Sequence, residues 1–139
     1  MNFATNKLIA HGLMKIENRY LVIKRTAIKR GKPNAYPEYW NIPGGMVEPG
    51  ETPVEGVIRE VKEEVNLDIK ANKIIHEDSN FDTEKNCVFT RLVYECYVLN
   101  NKIEEIKLDP EEHTEYKLIT GLDELKNEKI VDYLKEILD

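Results

Sequence analysis

Residues 45–67 read Gly45-Met46-Val47-Glu48-Pro49-Gly50-Glu51-Thr52-Pro53-Val54-Glu55-Gly56-Val57-Ile58-Arg59-Glu60-Val61-Lys62-Glu63-Glu64-Val65-Asn66-Leu67. Thr52 followed three positions later by Glu55 is a capping box, and Pro53 takes the first helical position, where its missing N–H costs nothing. Val54, Val57, Ile58, Val61 and Val65 then recur at the helical period, giving one apolar stripe to lie on a sheet. Asn66 tolerates the left-handed conformation that ends a helix. The sequence therefore predicts a helix that starts at Thr52–Pro53 and stops at Asn66, entered through a turn-rich loop. Because successive helical residues turn by roughly 100°, Glu60, Glu63 and Glu64 gather on one surface beside that stripe. Like charges so spaced destabilise a helix, and a cation is their natural compensation; carboxylate oxygens suit Mg²⁺, with Mn²⁺ as a substitute. Gly56 lies one turn before Glu60 and costs about 1 kcal/mol relative to alanine. Either a neighbouring loop or a substrate with its hydrated metal needs the space a side chain would fill.

Outward from this helix, residues 8–16 and 19–25 are strand-like and joined by Glu17-Asn18, predicting a hairpin. A loop over 26–39 carries Lys29, Arg30 and Lys32 and leads into Trp40-Asn41-Ile42-Pro43-Gly44-Gly45. Segments 73–76, 87–99 and 115–119 read as further strands. Residues 128–138 carry Ile130, Val131, Leu134, Ile137 and Leu138 at helical spacing, predicting a second amphipathic helix at the end of the chain. The 139 residues fit one domain spanning 1–139, with 41% hydrophobic and 33% charged residues, an ordinary globular balance. No uncharged run is long enough to span a bilayer, so the expectation is a cytoplasmic protein with no membrane partner. Cys87 and Cys96 lie on one extended segment, beyond disulfide reach, and are expected to be reduced thiols. A net charge of −6 argues against binding long nucleic acids but leaves room for a small phosphorylated ligand.

The stretch 45–67 resembles the Nudix box, G-x5-E-x7-R-E-U-x-E-E-x-G-U with U aliphatic, at every specified position except Asn66 in place of the last glycine. Asparagine is the next best residue for a left-handed helix end, so the departure changes little. The resemblance implies an α/β fold, the Nudix α/β/α sandwich, with a mixed sheet between the box helix and a C-terminal helix. It implies that Glu60, Glu63 and Glu64 bind divalent ions, that the Gly45 carbonyl completes the coordination shell, and that Arg59 pairs with Glu51 to brace the loop. Glu60 is also the family position that can deprotonate the attacking water. A further acid often comes from a distant loop; Glu112 in the segment Asp109-Pro110-Glu111-Glu112-His113-Thr114-Glu115 is the choice here, with Glu111 and Glu115 as competitors. His113 is expected to make a local hydrogen bond, and no site role is expected for His11 or His76.

For substrate contacts the sequence offers Arg25, at the end of the second strand, for phosphate, with Lys29, Arg30 and Lys32 as an electropositive rim. Tyr36, Tyr39 and Phe81 are candidates for stacking on a base and Trp40 for the core; around Asn127 the chain resembles the base-contacting region of MutT proteins, with helix capping as that residue's alternative role. The implied reaction is Mg²⁺-dependent hydrolysis of a phosphoanhydride in a nucleoside diphosphate linked to X. A minimal chain favours a MutT-like nucleoside triphosphate pyrophosphohydrolase; ADP-ribose and dinucleoside polyphosphates are the alternative substrates. A Nudix-fold module that senses a nucleotide without cleaving it is the alternative of another class. The expected partner is a small nucleotide, and the expected assembly a monomer or homodimer.

Overall fold

The computed structural model describes residues 3–99 and 102–139. In chain order it runs β1 (Thr5–Ile16), β2 (Arg19–Arg25), β3 (Ile28–Lys29), β4 (Lys32–Pro33), β5 (Trp40–Asn41), β6 (Gly44–Met46), α1 (Pro53–Val65), β7 (Ile69–Asp82) and β8 (Cys87–Val98). After these come a 3₁₀ turn η1 (Ile103–Glu105), β9 (His113–Ile119), a second 3₁₀ turn η2 (Leu122–Leu125) and α2 (Asp132–Leu138). Glu17 and Asn18 both take positive φ, the geometry that closes a two-residue hairpin with the twist its strands need.

β1 and β8 run parallel, from Thr5 beside Cys87 to Met14 beside Cys96. Their neighbours are antiparallel: β2 on β1, β5 and β9 on β2, β6 on β1, and β7 on β8. The sheet is therefore mixed and bears a helix on each face. Side-chain alternation divides the core accordingly. Ala10 and Met14 of β1, Leu21 and Ile23 of β2, and Tyr94 and Cys96 of β8 pack against Val57, Val61 and Val65 of α1. Leu13, Val22 and Val93, the residues between them, pack with Trp40 and Ile119 against Tyr133 and Leu134 of α2. Gly12 faces the first layer; a Cβ there would sit 3.1 Å from both Cys96 Sγ and Val57 Cγ2. Both cysteines are free and buried.

Three elements differ from the sequence expectation. The valine stripe of α1 is narrower, because Val54 and Ile58 stay 39% and 38% exposed at its margin. α2 begins at Asp132, since Trp40 N–H donates to the Lys129 carbonyl, Val131 N–H donates to the Trp40 carbonyl, and Ile130 bridges to Trp40. Those backbone groups are committed to β5, so Ile130 and Val131 share the apolar layer without being helical. β7 is far longer than residues 73–76, since it pairs with β8 along its whole length despite two register shifts. As an edge strand with mostly polar residues it hides from an apolar pattern.

Candidate active site

The C-terminal half of α1 faces β6, and the local chemistry fixes how closely. Thr52 accepts from Glu55 N–H while Glu55 accepts from Thr52 N–H, closing the capping box, and Asn66 ends the helix at φ 64°. Arg59 clamps the preceding loop. Its Nε and Nη2 donate to the two carboxylate oxygens of Glu51 at 2.8 and 3.0 Å, and Nη2 also donates to the Met46 carbonyl at 3.1 Å. This fork holds the Glu51 carboxyl far below its usual range, at about 2. Gly56 belongs to the same arrangement, because a Cβ there would meet Glu51 Oε1 at 3.0 Å and Val47 at 3.3 Å. The space it leaves is filled by the loop.

With the loop so placed, Glu60 and Glu64 turn toward Gly44 and Gly45. Glu64 is 4% exposed, and its Oε2 accepts from Gly44 N–H at 2.8 Å. Glu60 accepts from Arg59 Nη1 at 2.9 Å, and its carboxyl lies where a Cβ on Gly45 would be, within 2.8 Å. Only glycine at 45 lets the two come so close. Glu63 stays at the exposed rim, 3.3 Å from Arg59 Nη1.

From the opposite side, Glu112 and His113 enter at the start of β9. Ligand-capable atoms of Glu64, Glu112 and His113 lie within 4.8 Å of one another. These residues line a cleft of about 200 Å³ with Glu60, Gly44, Gly45, Arg25, Lys29 and Asn34. Burial, then the neighbouring Glu60 and Glu112 carboxylates, push the Glu64 carboxyl well above its usual range. Burial raises Glu60 as well, although Arg59 opposes it. Three acidic side chains, Glu60, Glu64 and Glu112, thus share this cleft with two cations, Arg25 and Lys29. Carboxylate oxygens with a nearby neutral imidazole fit a hard divalent ion, Mg²⁺ or Mn²⁺.

His113 is 4% exposed, its Nε2 is 3.7 Å from Glu64 Oε1, and its Nδ1 has no hydrogen-bond partner among the described residues. The local hydrogen bond that His113 makes is from its backbone N–H, to the Asp109 carbonyl at 2.9 Å, rather than from Nδ1. Burial, aided by Arg25, lowers its pKa to about 4, so the ring is neutral. Arg25 spans two clefts. Its Nε donates to the Ala35 carbonyl at 2.8 Å and its Nη2 to Asn34 Oδ1 at 3.0 Å, which aims the guanidinium between the acid cleft and a larger one of about 640 Å³. Tyr39 and Tyr36 line that second cleft, their rings edge to face at 5.4 Å.

Two expected contact residues lie elsewhere. Phe81 is 49% exposed near the tip of the β7–β8 hairpin, paired with Val88, and lines neither cleft. Asn127 is exposed in the turn after η2 with φ 68°, where its tolerance of left-handed backbone explains it. It neither caps α2 nor reaches the cleft.

Conversely, the structure brings in residues that spacing alone did not reveal. Arg91 stacks over Tyr133 at 4.1 Å and donates to Asp78 at 3.1 Å, and all three line the larger cleft. A charged residue inside the apolar run of β8 was the available signal. His11, for which no role was expected, is buried in the same wall and donates from Nδ1 to the Ile42 carbonyl at 3.0 Å.

The family model for the NUDIX domain matches residues 9–139, nearly the whole chain. The chain belongs to the NUDIX family. An ADP-ribose pyrophosphatase of Methanocaldococcus jannaschii is 30% identical over 127 residues, covering 89% of this chain and 70% of that protein. The 8-oxo-dGTP diphosphatase of Escherichia coli is 39% identical over 59 residues, 42% of this chain and 43% of that one. Among solved structures, a MutT protein from Methanosarcina mazei Go1 superposes with a TM-score of 0.76 at 26% identity, covering 99% of this chain and 94% of that one. The α/β/α arrangement is thus the Nudix fold, and the protein is a Nudix hydrolase acting on pyrophosphate bonds. Among the described residues no helix is long and apolar enough to cross a membrane.

Proposed function

We propose that this Nudix enzyme hydrolyses a nucleoside diphosphate linked to X with the help of Mg²⁺, releasing a nucleotide and a phosphorylated remainder. The observation that carries the reading is the convergence of Glu60, Glu64 and Glu112 on one small cleft that opens beside a larger, aromatic-walled one. Glu60, Glu64 and Glu112, the Gly45 carbonyl and Glu63 swung in from the rim would hold the cation. When bound, it would neutralise phosphate charge and make a bound water more acidic.

The chain's own groups supply positioning. Arg25 and Lys29 contact the phosphates, and the Tyr36–Tyr39 pair, which lines the same cleft as Arg91 and Tyr133, offers a ring to the base. Glu60 accepts the proton of the water that attacks phosphorus, and the anhydride P–O bond breaks as the new P–O bond forms. Because phosphoryl transfer demands mainly orientation and charge, no nucleophilic side chain is needed.

For X, a single terminal phosphate is the first reading: a nucleoside triphosphate, cleaved as by a MutT-like pyrophosphohydrolase to a nucleoside monophosphate and diphosphate. The β3–β4 hairpin beside the acid cleft carries Lys29, Arg30 and Lys32, which suit further phosphates. ADP-ribose is the second reading, favoured by the relative from Methanocaldococcus jannaschii. Turnover of the canonical and 8-oxo nucleoside triphosphates against ADP-ribose, each with Mg²⁺ and with excess chelator, separates them. Selective, chelator-sensitive release of diphosphate from a triphosphate is the expected result. Faster cleavage of ADP-ribose would transfer the assignment, and equal turnover in chelator would remove the metal from it.

A further inference from the structure

Lys29 Nζ lies 2.5 Å from Glu112 Oε1, and both side chains are largely shielded, 33% and 22% exposed. This ion pair sits inside the acid cleft, whose wall the two residues share with Glu60 and Glu64. The three carboxylates are not treated alike. Glu60 has the Arg59 guanidinium, Glu64 has the Gly44 N–H, and Glu112 has an ammonium on a flexible stem. Arg59 cannot leave, since its fork is spent on Glu51. Among the described residues the Lys29 ammonium has this ion pair alone, and a lysine is a compact point charge that can swing to a new partner.

A divalent cation that joins Glu64 to Glu112 would meet the ammonium at contact distance, and like charges that close repel strongly. A diphosphate entering with the cation brings a new counter-ion within reach of the same stem. Resting on the metal site proposed above, we infer that Lys29 is an exchangeable counter-ion of Glu112. It neutralises that carboxylate in the empty enzyme, yields it to the divalent cation, and moves to the substrate's phosphates. Lys29 would thereby weaken binding of metal alone and strengthen binding of nucleotide with metal, so that the two load together.

The loop does not need Lys29 to stay in place. Thr26 N–H donates to the Glu112 carbonyl at 3.0 Å, Thr26 Oγ1 donates to the Glu111 carbonyl at 3.2 Å, and Asn34 Nδ2 donates to the Thr26 carbonyl at 3.2 Å. Lys29→Met is therefore expected to melt like the unaltered protein.

The test is calorimetric titration of the nucleotide-free enzyme with Mn²⁺, and of the Mn²⁺-saturated enzyme with ADP, for the unaltered chain, Lys29→Met, Lys29→Arg and Glu64→Gln. Lys29→Met should bind Mn²⁺ about tenfold more tightly and ADP about tenfold more weakly. Lys29→Arg should stay near the unaltered values. In a Glu112→Gln background, Lys29→Met should leave the Mn²⁺ affinity unchanged. Unchanged or weaker Mn²⁺ binding by Lys29→Met, or the same gain without Glu112, would overturn the inference and leave the metal site standing. Equal Mn²⁺ binding by Glu64→Gln and the unaltered chain would overturn both.

Discussion

The wall of the acid cleft built from residues 44–66 closes on itself, whereas the facing wall, from residues 25–34 and 109–113, is assembled across the chain. On the first wall a capping box, a left-handed Asn66 and the Arg59–Glu51 fork join residues at most eight positions apart. On the second, Thr26 reaches Glu111 across 85 positions, and Lys29 meets Glu112 through a single ion pair. The first is a preset bracket that presents carboxylates at fixed spacing. The second hangs from the end of the β2–β9 ladder, where Arg25 faces His113, and from a few polar contacts beyond it, and the cation that leaves most easily belongs to it. An enzyme that must admit a charged substrate and a metal together benefits from one rigid wall and one adjustable wall.

The sharpest way to probe the rigid wall is to alter its carboxylates without altering their shape. Glu60→Gln should lower kcat by about 10²–10⁴-fold, the range of general-base assistance. Glu64→Gln should recover a larger share of its turnover at high Mg²⁺ than Glu60→Gln does. Steady-state kinetics across a Mg²⁺ series tests both, and equal recovery would move the base to the adjustable wall, where Glu112 is the candidate.

Beneath the rigid wall lies His11, whose pKa falls from 6.5 to about 4, first because it is buried and then because Arg91 is near. The unfolded chain takes up a proton below about pH 6.5 and the folded one does not until about pH 4, so stability falls across that window as pH drops. The loss amounts to about 3 kcal/mol at its lower end. His113, whose pKa is lowered likewise by burial, contributes across the same window, so His11→Gln should roughly halve the slope of that part of a stability–pH curve from chemical denaturation. An unchanged slope would mean that another group governs it.

The adjacent glycines divide structure from chemistry. A Cβ on Gly44 would run into the backbone of Ala10 and into His11, so Gly44→Ala should cost about 1–3 kcal/mol in denaturant melts. The three atoms nearest a Cβ on Gly45 all belong to the Glu60 carboxyl, the far end of a side chain, so Gly45→Ala should melt nearly normally while kcat drops about tenfold. Arg59→Ala should lower the melting temperature by a few degrees and lower metal affinity too, because its partners are partly solvated. Smallest of all, Thr26→Val on the adjustable wall should cost a degree or two, and a larger loss there than for Arg59→Ala would reverse the comparison.

The same division explains what was legible in the sequence. Helix α1, its caps and the shared face of its carboxylates lie within one short segment, where helical period and capping chemistry act locally; the Glu51–Arg59 pairing and the choice of Glu112 come instead from the resemblance to the Nudix box. Arg91, Tyr133 and Asn34 become site residues only because β8, α2 and the 26–39 loop meet in space, and no spacing rule joins them. The errors have the same origin. Ile130 and Val131 fit a helical period but are held by Trp40, and Phe81 carries a ring suited to stacking at a hairpin tip that reaches no cleft.

The parallel register of β1 with β8 has a consequence for how the protein is made. A ribosome releases β1 well before its main partner, which begins at Cys87, so the central sheet cannot close until β8 has emerged. Until then β1, with Ala10 and Met14 on one apolar face and Leu13 on the other, has β2, β6 and whatever of α1 has formed beside it but lacks its long parallel partner. Nascent chains stalled before β8 should therefore be sensitive to protease and prone to associate, while chains released after Val98 should become resistant in step with the arrival of that strand.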